Sequence, residues 1–154
     1  MRYWMAFGLL ISVLWAQEPH SRIDFENAQH GWLLLPGVGG KVELTENPSD
    51  VKSGKRALRY TYTAAAGKLN AVIYLQPEDW AQAFRFWMKA DRPALFALSL
   101  QEESGERWHA PFWISGNEWQ QVTVALSDFM LAEDTKPVNN KLDMDDAQGI
   151  GLID

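Results

Sequence analysis

The segments FRFWMKA (residues 84–90), LFALSLQ (95–101), RWHAPFWI (107–114) and WQQVTVALSDF (119–129) alternate apolar and polar residues two by two. A period of two sends successive side chains to opposite faces of a pleated strand, so each segment hides one row and shows the other. By this parity Phe84, Phe86 and Met88 share a hidden face. Phe96, Leu98 and Leu100 do the same, as do Phe112 with Ile114, and Val122 with Val124 and Leu126. Each such side chain, fully buried, contributes about 1.5–3 kcal/mol before chain entropy is subtracted. The shown rows carry Arg85, Trp87, Lys89, Ser99, Gln101, Arg107, His109 and Trp113. Aromatic plates among hydrogen-bonding groups suit a surface that binds more than one that catalyses.

Working outward, turn signals recur about every eight to twelve residues, the spacing of a sandwich or barrel. They are Gly31, Pro36-Gly37, Gly39-Gly40, Asn47-Pro48, Ser53-Gly54, Gly67, Pro77, Asp91-Arg92-Pro93, Ser104-Gly105 and Ser115-Gly116-Asn117. Strands are predicted over 22–25, 32–35, 41–45, 56–63, 70–75, 83–90, 94–101, 107–114, 119–126 and 148–153. Helical turns are expected only around Pro77–Ala83 and Ser127–Ala132. The segments 95–101 and 107–114 form a hairpin through Glu102–Glu106, with Ser104-Gly105 at its tip. Repeats, low-complexity tracts and linkers are absent, so one all-β antiparallel domain is predicted.

A chain of 154 residues with an apolar fraction of 47% supports one sizeable core. Its net charge of −6 and pI near 5.0 speak against a phosphate backbone as partner and disfavour an anionic membrane. Neutral partners such as sugars stay open, and eight tryptophans supply stacking surfaces for them. Arg2 followed by the apolar run Tyr3–Ala16 reads as a secretory signal, too short to span a bilayer comfortably. Residues 1–16 are therefore expected to be a signal peptide and 17–154 a single domain, secreted or periplasmic; an uncleaved anchor is the alternative. The sequence has no cysteine, so an exported domain must hold itself by its core or by a metal.

The ordered motifs resemble the jelly-roll carbohydrate-binding modules with a galactose-binding-domain-like fold. Family 11 and the complex I intermediate-associated protein 30 group are the relatives named. Ile23-Asp24-Phe25-Glu26 resembles the first-strand "DDFE" start, and Ser53-Gly54-Lys55-Arg56-Ala57-Leu58 the "SG-x-x-AL" entry to a core strand. Phe86-Trp87-Met88-Lys89-Ala90 is similar to "FW-x-KA". The run from Trp119 to Phe129 is similar to "W-x-x-V-x-x-PLSDF", with Ala125 where proline is usual. The resemblance covers residue 22 onward and implies an antiparallel β-sandwich that holds a polysaccharide without cutting it. It also implies a structural Ca2+ held by a first-strand acid, here Glu26, by carbonyls of the Ser53–Lys55 turn, and by an Asp in a final strand. That strand follows an "IG-x-x-D" segment like Ile150–Asp154, and no counterpart of it lies within residues 1–154. The sandwich is thus expected either without its last strand or with a sheet that closes differently.

The predicted ligand site is Arg85, Trp87, Gln101, Arg107, His109 and Trp113, with indoles stacking on sugar C–H faces and polar groups fixing hydroxyls. The alternative for Trp87 and Trp113 is cover by a loop. Trp32, Trp80, Trp108 and Trp119 are assigned to core or edge packing. Glu102, Glu103 and Glu106 could flank a glycosidic bond, but turn carboxylates are usually solvated, and no catalytic residue is assigned. Asp143-Met144-Asp145-Asp146 lacks the glycine of an EF-hand, and Gly37–Lys41 lacks the ending of a phosphate-binding loop. The three histidines have no metal-ligand spacing. The predicted function is a non-catalytic carbohydrate-binding domain; a protein-assembly module using the same face is the alternative.

Overall fold

A computed structural model describes residues 23–64, 67, 69–75 and 81–154. The strands are β1 (Trp32–Leu34), β2 (Lys41–Thr45), β3 (Ala57–Thr61), β4 (Ala71–Leu75), β5 (Ala83–Met88), β6 (Ala94–Glu102), β7 (Arg107–Ile114), β8 (Gln120–Ala125), β9 (Met130–Leu131) and β10 (Ala147–Ile153). All observed pairings are antiparallel. One layer is a six-stranded sheet in the order β1-β4-β10-β6-β7-β9; β5-β8 and β2-β3 form two separate pairs. The molecule is an antiparallel β-sandwich of jelly-roll type, as predicted.

Parity explains the core. Phe96, Leu98, Leu100, Trp108, Ala110 and Ile114 from the large sheet meet Val122 and Val124 from the β5-β8 pair, with Phe84, Phe86 and Met88 packed against them. The layers touch where Phe86 meets Phe112 edge-on, with ring centroids 5.5 Å apart. Phe112 in turn stacks near Phe96 at 6.1 Å. The β6–β7 turn closes as expected, with the Gly105 N–H donating to the Glu102 carbonyl at 3.0 Å. Gly105 takes φ +88°, which a side chain disfavours.

Two local expectations are corrected. Ile23–Phe25 is not a strand: Phe25 adopts φ +61°, and Asp24 accepts the Glu26 N–H at 3.1 Å, which turns the chain. Ser127–Ala132 is not a helical turn throughout. A 3-10 turn spans Leu126–Asp128, where the Asp128 carboxylate accepts the Ala125 N–H at 2.8 Å. The chain then extends so that Met130 and Leu131 pair with β7. Residues 1–16, Trp80 and most of the expected turn at Pro77–Ala83 lie outside the described residues.

Candidate functional site

The outward rows of β6 and β7 lie side by side. Leu95 pairs with Trp113, Ala97 with Pro111, Ser99 with His109 and Gln101 with Arg107. Met130 extends the row from His109 on one flank, and Gly151 and Gly149 continue it opposite Ser99 and Gln101 on the other. Gln101, Arg107, His109 and Trp113 therefore share one face. It is graded: Trp113 and Leu95, 57% and 60% exposed, make an apolar end. At the polar end Arg107 binds Asp134 at 2.7 Å. The Arg107 guanidinium holds the Asp134 carboxyl below the ordinary carboxylate range. Burial, reinforced by the charge of Arg107, pushes the His109 imidazole down, so at neutral pH its ring offers one donor and one acceptor.

Arg85 and Trp87 do not join that face, which corrects the expectation of one common surface. They sit on β5, whose even-numbered residues meet the large sheet through Phe86 and Phe112. Its odd-numbered residues therefore point away on the other side of the sandwich. Parity separates inside from outside but does not say which layer a strand joins. Trp87 is 45% exposed, yet the Lys52 ammonium lies 4.3 Å from its ring centroid. Nearby Lys89 donates to the Asp50 carboxylate at 3.0 Å and to the Ser49 carbonyl, and lies 5.4 Å from the Trp119 ring. This second face is engaged in tying down the 47–52 segment.

Glu26 does reach the Ser53-Gly54 turn. Its Oε1 accepts the N–H groups of Lys55 at 2.9 Å and Arg56 at 3.2 Å, and it presses so closely on Gly54, at φ +75°, that a Cβ there would clash. Arg56 donates to the Glu26 carbonyl at 3.3 Å and pairs with Glu46 at 2.8 Å. Ca2+ takes six to eight oxygens. Here the donors aimed at Glu26 are N–H groups, and a guanidinium lies beside it. As arranged, these residues do not fit a divalent cation. A cleft of about 680 Å³, lined by Glu26, Glu46, Lys55, Arg56 and neighbouring residues, opens at this clasp; Arg56 is already bonded there to Glu46 and to the Glu26 carbonyl.

Glu102 and Glu106 overturn the view of the turn carboxylates as solvated: they are 1% and 0% exposed, while Glu103 alone faces water. Both sit on inward-facing positions, a signal that parity already carried. Trp108 is buried in the core and Trp32 packs against it, as assigned.

The model of the carbohydrate binding domain (family 11) matches residues 20–152, and the chain belongs to that family. Among solved structures an exo-beta-agarase is similar in fold, with a TM-score of 0.59 and 14% identity. The match covers 88% of this chain and 23% of the agarase chain. No curated protein matches.

Proposed function

We propose that this carbohydrate-binding domain holds a polysaccharide, without cleaving it, on the outward face of β6 and β7. Trp113 with Leu95 would receive the C–H face of a sugar ring, and Gln101, His109 and the Arg107–Asp134 pair would take its hydroxyls. The observation that carries this reading is the side-by-side placement of Trp113, His109 and Arg107 on β7, all outward and uncovered by the second layer. Residues 1–16 would direct export, placing the domain where polysaccharides occur. Among the described residues no helix is long and apolar enough to cross a membrane.

Native electrophoresis in gels containing glucan, mannan, xylan or galactan tests the reading. Retarded migration in at least one gel, reversed by Trp113→Ala, is expected. Unchanged migration in every gel would refute it.

A further inference from the structure

Glu102 ends β6 and Glu106 precedes β7, and both carboxyls are sealed from water. Glu106 Oε1 accepts three successive backbone N–H groups, from Val138 at 2.8 Å, Asn139 at 3.3 Å and Asn140 at 3.3 Å. Asn140, at φ +56°, supplies the left-handed bend that aims the third of them. Glu102 Oε1 accepts the Asp143 N–H at 2.7 Å, and its Oε2 accepts the Ser104 hydroxyl at 3.1 Å. The two residues face each other across the turn, the Glu102 N–H donating to the Glu106 carbonyl at 3.0 Å, with both side chains buried on the inner side, and Glu106 Oε2 has no partner among the described residues.

Two buried carboxylates so placed do not both stay ionised unless something lies between them. The surrounding charges do not neutralise them. On the hairpin, Glu103 is exposed and Arg107 is turned to Asp134. On the facing loop Lys141 pairs with Asp143 at 3.8 Å, and Glu133, Lys136, Asp145 and Asp146 are exposed. Backbone N–H groups occupy Oε1 of each carboxylate, so a cation between them would find the two Oε2 atoms and the Ser104 hydroxyl, short of the six to eight oxygens that Ca2+ takes.

We propose that Glu102 and Glu106 share one proton, donated by Glu102 to Glu106 Oε2, and that this proton clasps the 132–143 loop onto the β6–β7 hairpin. The shared proton gives the orphaned oxygen its partner and leaves a single charge for the three amides to solvate. The three amides, Val138 first, hold Glu106 below the ordinary carboxylate range, which makes it the anion of the pair. The pair titrates as a unit. Folding then retains a proton that the unfolded chain releases above the ordinary carboxylate range, so the clasp's contribution is complete at acid pH and is lost progressively as pH rises from there. The loop carries Asp134, so the clasp also positions the partner of Arg107; that consequence rests on the sugar-binding reading, whereas the clasp itself does not.

Thermal melts of the intact protein from pH 5 to 9, in EDTA, test the clasp. Glu102→Gln keeps an acceptor for Asp143 and donates an amide N–H to Glu106 at every pH. The native Tm should fall by about 3 °C or more relative to that variant between pH 6 and 9, and Glu106→Gln should flatten the curve likewise. In the native protein, hydrogen-exchange protection of amides 138–140 should drop at least about tenfold over the same range. Parallel curves for the native protein and both variants, or unchanged protection, overturn the proposal. So does a calcium-dependent rise in Tm that Glu102→Gln abolishes, since a cation would then occupy the proton's place.

Discussion

The ammonium of Lys52 lies 4.3 Å from the ring centroid of Trp87, covering one face of the indole that the alternation of β5 turns outward. Trp113, on the opposite side of the sandwich, has Leu95 as its one cross-strand neighbour among the described residues. The two tryptophans should therefore behave differently. Trp113→Ala is expected to weaken polysaccharide retardation by about tenfold, in the range of one lost stacking contact. Trp87→Ala should leave it unchanged. Equal losses would place the ligand elsewhere.

Arg107→Ala removes a charge-assisted donor from the polar end and leaves Asp134 without its ion pair. A hydrogen bond of that kind is worth about 1.5–3 kcal/mol, so affinity should fall by at least about tenfold while the melting temperature barely moves. The pair is solvent-exposed and adds little to stability. Isothermal titration and a melt on the same sample separate the two effects.

His109 gives the face a pH dependence. Its folded-state pKa is lowered by burial and then by Arg107, so the folded chain binds this proton less readily than the unfolded chain does. The stability gained from keeping the ring neutral is complete above the unfolded value of about 6.5 and is lost as pH falls below it. His109→Asn should flatten the acid side of the melting curve from pH 6.5 downward. An unaltered slope would show that another group governs it.

Gly54→Ala should destabilise the chain by about 1–3 kcal/mol, because φ +75° disfavours a side chain and the new methyl collides with the Glu26 carboxylate. Urea denaturation measures this, and adding Ca2+ should not restore the loss. Recovery in Ca2+ would mean that Glu26 can rearrange around a cation.

Phe86→Ala opens a void where the layers meet through Phe112 and should cost about 3–5 kcal/mol. Arg85→Ala, one residue away on the exposed row, should cost less than about 0.5 kcal/mol. The contrast between these neighbours checks the parity of β5 directly.

Most of the architecture was legible because alternation is a local property. Phe84, Phe86, Phe96, Leu98, Val122 and Val124 were all assigned inward from their spacing and lie inward. What stayed hidden is non-local. Whether β5 hydrogen-bonds to β6 or to β8 depends on pairing between distant segments, and that choice sends Trp87 to the far side from Trp113. Glu102 and Glu106 obeyed parity too, but their charge argued for water. Their partners are the Ser104 hydroxyl and the amides of Val138, Asn139, Asn140 and Asp143, the latter brought in by the returning loop. The strand expected at Ile23–Phe25 failed because a left-handed Phe25 has no signature in residue type.

The division of the molecule into a tethered side and an open one bears on how the protein can be handled. Lys52 and Lys89 project beside β5, whereas the outward rows of β6, β7, β9 and β10 contain no lysine among the described residues. Amine-reactive coupling to beads or a sensor chip would therefore leave those rows chemically unaltered, and replacing Lys136 and Lys141, exposed on the loop that carries Asp134, would keep the attachment away from the Arg107 end so that Trp113 and its neighbours can capture glycans from solution.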